Sequence, residues 1–563
     1  MTGSRPIAAS LIALLAVAMV GCAPAMPDTV VPGSEVVMGW SGELTSTNAA
    51  AAPTPGNIDV AEMIRAGFGD VIDGEFVADE SFGTASIVSE DPFTVRYDLA
   101  EPAWSDAIPL DAADLLLGWA AASGYFPAEA DAESPEFAVD TPVVDEFARS
   151  IEVTYPAPRN DWQQLVVVSV PAHVVGERAL GVDDPMAAKQ AVITAIQDAD
   201  ADALAAIGEV WHEGFAFDDA TDATVDQLLS SGPFVIDAVT MEDERQTLSL
   251  VPNTAYRGAI TPQVARIELV PQPEDPIAAI GQTIDIAQVA PVSSNRAPIH
   301  ELERKDHPVV TTHDGTLWSL LLRPAGVFAS TQARIAFIHS LSVRAMIDRG
   351  AGEWASAYSP STSMLSSPGS RAYDIVGEDS GFDSVLGNPG DDPAQQRAIA
   401  GVPQGQAICV LYDRRSEFAT GAFAALRDSA AESGWNAVDC GSDDFDAALA
   451  GGGWDAVIRR VPIPQTPEQI ALQWGTGGSA SLVGDADATR DEQIAQLAAT
   501  TDVYAAREVL AQIEASIVRT AVALPIAADP VVTVTDKDVS GVTPRNGAAA
   551  PLTYGAVQWA VVP

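Results

Sequence analysis

Residues 93–119 read FTVRYDLAEPAWSDAIPLDAADLLLGW. Phe93, Val95, Tyr97 and Leu99 alternate with polar residues, the period of a strand with one face buried. Pro102 to Pro109 is rich in turn formers and carries Trp104, Ser105 and Asp106. Asp111 is placed to cap a helix, with Asp114 three residues on as a capping-box partner, and the apolar face of that helix continues through Leu115, Leu116 and Trp119. The stretch predicts strand, tight turn and capped helix, in that order.

Upstream, Arg5 precedes an apolar run from Ile7 to Val20 that is too short to span a bilayer but suits a signal-peptide core. The run ends Met19-Val20-Gly21-Cys22, which resembles a lipoprotein signal. That resemblance implies cleavage of residues 1–21 and a lipid on the sulfur of Cys22, anchoring the chain to the outer face of the cell membrane. Residues 22–35, rich in Pro, Ala and Val, read as a tether.

A chain of 563 residues is long for one core and predicts two or three domains. The formal charge of −49 argues against a nucleic-acid-binding surface. Besides Cys22 there are two cysteines. Cys409 lies in a predicted strand and Cys440 ends the next, with a helix over Phe418–Ala431 between them, so the two strands form a βαβ unit and run parallel. A disulfide and a pair of buried thiols both fit this spacing outside the cytoplasm.

Between these landmarks, Val36–Trp40 reads as a first strand and Ile58–Phe68 as a helix. Ile151–Tyr155 is another strand, and Pro171-Ala172-His173 follows an apolar stretch that favours a structural role for His173. Residues 187–212 form an Ala-rich helical insertion. In it Asp198, Asp200, Asp202 and Glu209 have the spacing of a calcium loop, but Ala203 stands where the sharp turn needs glycine, so a continuous helix is expected. No metal site and no cofactor are expected.

Residues 231–270 carry a second set of landmarks. Gly232-Pro233 opens a strand, a charged turn runs Glu242–Arg245, and a strand at Thr247–Val251 leads to Asn253, Tyr256 and Gly258. Further on come Gly281 to Ile286 with Asp285, the segment Arg334–Arg349 read as one helix, Trp454-Asp455-Ala456-Val457, and Ala523-Leu524-Pro525-Ile526. Together with the Trp104-Ser105-Asp106 turn, these resemble the bacterial extracellular solute-binding proteins of the peptide and nickel type, solute-binding family 5. Ala107 stands where that family has glycine after Trp-Ser-Asp, and Arg257 stands where it has tryptophan. The resemblance covers about residues 36–563.

It implies an α/β fold, a periplasmic-binding-protein-like two-lobe clamp of type II, cluster C. Lobe one would comprise 36–285, with an accessory subdomain at about 76–221, and the return of 520–563. Lobe two would be 286–519, and chain crossings near 288 and 520 would form the hinge. It further implies a monomer that closes on its ligand and then meets the permease of an ABC importer. The function it implies is binding rather than catalysis, and the sequence shows no Gly-x-Ser-x-Gly elbow, no zinc-type His-Glu spacing and no phosphate loop, which leaves only a catalytic set dispersed along the chain as the enzymatic alternative.

In peptide-binding members an aspartate after the strand beginning at Trp454-Asp455 pairs with the ligand's ammonium. That position falls near Pro464, where this chain has no carboxylate. Arg459 and Arg460 precede it and would favour a carboxylate or phosphate, although strand alternation would turn at most one of them into the cleft. Trp40 and Trp474 are candidate stacking walls, with burial in the core as the plainer role for each. The Gly475–Ser479 loop is expected to face the cleft. The ligand expected is an oligopeptide or similar small solute. The alternative is an envelope lipoprotein of the same fold that binds lipid or glycolipid, or regulates envelope synthesis.

Overall fold

The strand predicted at Phe93–Leu99 pairs antiparallel with Gly83–Glu90 on one side and Ser150–Thr154 on the other. In the computed structural model, which describes residues 26–72, 75–126, 140–144, 148–387, 392–481, 483–547 and 551–562, this small sheet lies under helices with its own apolar core. Phe93, Val95, Tyr97 and Leu99 all enter that core, as the alternation requires. Residues 1–22, including the lipidation candidate Cys22, lie outside the described part.

The turn that follows is tied down at each of its named residues. Trp104 Nε1 donates to Asp114 Oδ1 at 3.1 Å, Ser105 Oγ accepts from the Ser230 amide at 3.1 Å, and Asp106 Oδ2 lies 2.9 Å from His173 Nε2. Ala107 adopts φ +71°, the left-handed region, which explains why glycine suits this position. Asp111 caps the helix Ala112–Ala122, and the reciprocal bond from Asp114 completes the capping box.

Asp114 is buried beneath this turn with Lys189, whose Nζ lies 2.8 Å from Asp114 Oδ2 and 3.2 Å from Asp111 Oδ2. Burial pushes the Asp114 carboxyl up. The Lys189 ammonium, with hydrogen bonds from the Ala172 and Asp111 amides, outweighs burial and holds its pKa below the usual range. Burial likewise opposes the Lys189 charge, and Asp114 and Asp111 outweigh it, raising the lysine's pKa.

A second, larger sheet runs through the rest of the molecule. Among the described residues it has ten strands, ordered Trp435–Asp439, Gln406–Leu411, Ala456–Pro462, Val309–Leu322, Ala523–Thr535, Ile286–Val289, Val31–Trp40, Val264–Pro271, Arg245–Pro252 and Phe234–Glu242. Val31–Trp40 is parallel to both its neighbours, and the two longest strands, Val309–Leu322 and Ala523–Thr535, are antiparallel partners. Their pairing shifts register between His313 and Leu317. Separate apolar cores pack at the two ends of this sheet, which gives an α/β molecule of two lobes. No helix of the described residues is long and apolar enough to cross a membrane.

Several boundaries differ from the sequence-based expectation. The first strand begins at Val31, inside the expected tether, because the Val31 amide bonds Gln263 O and Ser34 Oγ bonds back to Val31 O. The Ala-rich insertion is two helices, Pro185–Gln197 and Ala201–Glu213, since Asp200 caps the second through the Asp202 and Ala203 amides. Arg334–Arg349 likewise spans two helices, Thr331–Ile338 and Val343–Ala351, the second capped by Ser342. In each case a short polar side chain gives the backbone a better partner than helix continuation.

Replacing Asp114 by Ala leaves the Lys189 ammonium buried with a weaker partner and is expected to cost about 3–5 kcal/mol in urea-induced unfolding. The Asp114 contribution is present above the ordinary aspartate pKa of about 3.9 and is lost as pH falls through its lower folded value. Ala107→Gly relieves a left-handed alanine and is expected to stabilise by about 1 kcal/mol, read as a higher unfolding midpoint.

Candidate functional site

The strand Ala456–Pro462 pairs along its whole length with Val309–Leu322, but on its other side meets Gln406–Leu411 only at Ala456 and Val457. From Ile458 onward, that second edge has no strand partner among the described residues. An uncovered edge inside a fold is a row of backbone donors and acceptors open to an extended ligand.

Two cavities follow this strand and its continuation. The larger, about 760 Å³, is lined by Ile458, Arg459 and Arg460, by Trp318 and Tyr358, and by Gln288–Val292 and Asp529–Val531, where the long strands pass between the lobes. The smaller, about 160 Å³, is lined by Ile463, Pro464 and Gln465. It closes between the paired strands Gly69–Ile72 and Glu75–Ala78 with Asn160–Gln164 on one side, and Ser366, Ser367 and the helix Val503–Thr520 on the other. Beside it the Asn160 amide donates to Ala498 O at 2.8 Å.

In the larger cavity Phe418 is stacked between Trp318 and Tyr358, with ring centroids 4.6 Å and 4.7 Å away. Trp318 Nε1 donates to Asp529 Oδ1 at 2.7 Å, and Arg460 Nη1 to Asp529 Oδ2 at 3.0 Å. Burial, with the nearby Asp314 charge, pushes the Asp529 carboxyl up against the opposing pull of Trp318 and Arg460. Arg460 also stands 3.7 Å from Asp314, so its charge is largely answered in place. Burial lowers the Arg459 pKa, with Asp446 opposing. Its Nε donates to Arg460 O at 3.2 Å, and no carboxylate lies within ion-pair distance of it among the described residues.

Both arginines thus line one cavity, where alternation alone would turn one of them away. The two tryptophans take the plainer of the roles expected for them, burial in the core. Trp40 is buried in a lobe core and donates to Asp59 Oδ2 at 2.8 Å, and Trp474 is buried against Ile470, Ile494 and Leu497. Neither lines either cavity, because each projects from the face of its element that carries the most apolar area into the core. Gly475–Gly478 borders a separate open groove between helices Pro467–Trp474 and Ala488–Ala498. His173 is buried on Asp106, a structural role.

Cys409 and Cys440 are joined as a disulfide across the parallel strands Gln406–Leu411 and Trp435–Asp439. Sequence reasoning missed Trp318, Tyr358, Asp529, Glu75, Ser367 and Arg507. They come from widely separated segments, and no local pattern marks them. A nearby support is Glu514, fully buried, which accepts from Ser363 Oγ at 2.7 Å and from the Met364 and Leu365 amides, fixing the segment that presents Ser366 and Ser367.

The fold is that of ABC-transporter solute-binding proteins. The periplasmic EDTA-binding protein EppA aligns with a TM-score of 0.74 over 96% of this chain and 99% of its own, at 16% identity. The substrate-binding protein CtaP of Listeria monocytogenes aligns with a TM-score of 0.69 over 94% and 100%, at 15% identity. The oligopeptide-binding protein AppA of Bacillus subtilis, solved with a nonapeptide, gives 0.60 over 94% and 99%, at 12% identity. By sequence, an uncharacterized lipoprotein of Mycobacterium tuberculosis is 28% identical over 330 residues, 56% of this chain and 54% of that one. The match therefore spans about half the length of that relative. No family model matches the chain.

Burial pushes the Glu514 carboxyl up to about 6, against those three hydrogen bonds. The folded state keeps this proton longer than the unfolded chain, so the contribution of Glu514 to stability falls as pH rises from about 4.5 to about 6. In Glu514→Gln this part of the pH profile is expected to flatten, measured by urea midpoints across that range. A wild-type-minus-variant difference independent of pH would contradict the assignment.

Proposed function

We propose that the chain is the extracytoplasmic solute-binding component of an ABC importer, held at the membrane by lipid on Cys22, and that it takes an oligopeptide or similar small solute between its lobes. The observation that carries this reading is the uncovered strand edge from Ile458, flanked by cavities on the interlobe side. An extended peptide can add to such an edge through backbone hydrogen bonds, with side-chain pockets on either side. The neighbours of this fold include proteins described as oligopeptide-binding and substrate-binding. Arg459, with no carboxylate within ion-pair distance among the described residues, is the cation in the larger cavity best placed for an anionic group of the ligand, and Arg460 supports it from its bond with Asp529.

The polar side chains Gln163, Gln164, Gln465 and Thr466 along the smaller cavity weigh toward a peptide-like solute over the alternative of a lipid or glycolipid. The hinge in this reading lies where Ile286–Val289 and the end of Ala523–Thr535 pair, beside the register shift at His313–Leu317. Native mass spectrometry of the protein purified from its own cells tests the reading. Copurifying small peptides are the expected result. A copurifying lipid would favour the envelope role, and an empty protein with no thermal shift against peptide pools would count against solute transport.

A further inference from the structure

The smaller interlobe cavity contains an arginine whose recognition edge is only half used. Arg507, on the helix Val503–Thr520, bonds through Nη2 to Glu75 Oε1, which reaches across from the strand Glu75–Ala78. Its Nε, on the same edge of the guanidinium, is buried and makes no hydrogen bond to any described residue. Glu75 does not supply the second bond, because its other oxygen is turned to Arg371 Nη1 at 3.5 Å. In the same cavity Ser367 is 3% exposed, and its Oγ is also without a hydrogen-bond partner among the described residues.

A guanidinium edge of Nε and Nη2 matches the two oxygens of a carboxylate, and a buried donor left unmade is costly. Resting on the reading of the cleft as a solute site, we propose that Arg507 is the subsite for a ligand carboxylate, that Ser367 donates to the same group, and that Glu75 occupies Arg507 until the ligand displaces it. The Glu75 pair is then a stand-in that holds the lobes together across the cleft, and ligand binding exchanges one carboxylate for another without leaving the arginine uncovered. The space of about 160 Å³ suits the end of a small solute, so the class selected is peptides or amino-acid-like molecules with a free carboxylate at that end.

This assignment complements what the strand edge lacks. The two carboxylates that line the cavity with Pro464, Glu75 and Asp161, are each paired with an arginine, Arg507 and Arg159, while Arg507 Nε stays without a hydrogen bond to any described residue. The ligand is oriented by its acidic end.

The test compares a pool of tripeptides bearing free C-terminal carboxylates with the matched pool of C-terminal amides, by calorimetry on the full chain in detergent. Wild type is expected to bind the acids about 10-fold to 100-fold more tightly than the amides, the range for a charge-assisted hydrogen-bonded pair. Arg507→Gln is expected to erase that preference and Arg507→Lys to keep part of it. Glu75→Gln, which removes the competitor, is expected to tighten acid binding while preserving the preference. Equal binding of acids and amides by wild type, or a preference that survives Arg507→Gln, overturns the subsite and leaves the solute-binding reading intact. Should Arg507→Gln fail to fold, Glu75→Gln decides: no gain for the acids overturns the subsite. Binding of neither pool overturns the peptide reading and the subsite with it.

Discussion

The buried carboxylate of Asp114 is the constraint on which the accessory region depends. A charge fully removed from water survives only where every lone pair is engaged and a counter-charge is close. Asp114 satisfies this by drawing together Trp104 from the turn, Asp111 from the helix cap, Ala172 from the start of the next helix and Lys189 from the helical layer above. Three segments, 104–114 and those holding Ala172 and Lys189, are fixed relative to one another by two oxygens. The turn passes that order outward, since Ser105 and Asp106 bind Ser230 and His173.

The same device recurs in the main body. Asp285 Oδ2 accepts from the Val37 amide at 2.7 Å, joining the strand Val31–Trp40 to the start of Ile286–Val289. Asn253 Nδ2 donates to Gly232 O at 2.9 Å and its Oδ1 accepts from the Ala255 amide, closing the loop after the Arg245–Pro252 hairpin strand. Asp455 Oδ2 holds the Cys409 amide at 2.9 Å at the start of the strand that carries the arginines. These short polar side chains bond backbone that no regular ladder satisfies, which is why their identity and spacing are so restricted.

That restriction explains what could be read from the sequence. Asp114, Asn253, Asp285 and Asp455 all lie in the motifs that pointed to a two-lobe α/β clamp, and each is a tie point of the scaffold. Even the departure at Ala107 has its counterpart in a left-handed backbone angle. The candidate site was far less legible. Arg459 and Arg460 were found because they flank a motif strand. Glu75, Ser367, Arg507 and Asp529 come from four unrelated segments, and only the three-dimensional closure of the chain places them on shared cavities. Trp40 and Trp474 kept two readings open because a large aromatic residue has the same appearance in sequence whether it walls a cleft or fills a core. The burial of their elements decides which, and that is a tertiary property.

The charge pattern closes the argument. A chain with a formal charge of −49 surrounds its interlobe cavities with carboxylates, so an arginine there is ordinarily neutralised by its own protein, as Arg460 is by Asp529 and Asp314. Selectivity for an anionic ligand group then cannot come from net positive potential, because the field of the whole molecule opposes it. It has to come from geometry: donors held in place, desolvated, and short of acceptors. Arg459, with no carboxylate within ion-pair distance among the described residues, and Arg507, whose Nε makes no hydrogen bond to a described residue, meet that description in the larger and the smaller cavity respectively. Backbone pairing along the uncovered strand edge would supply affinity for any extended chain, and these two arginines would decide which chains are held and which way round they lie.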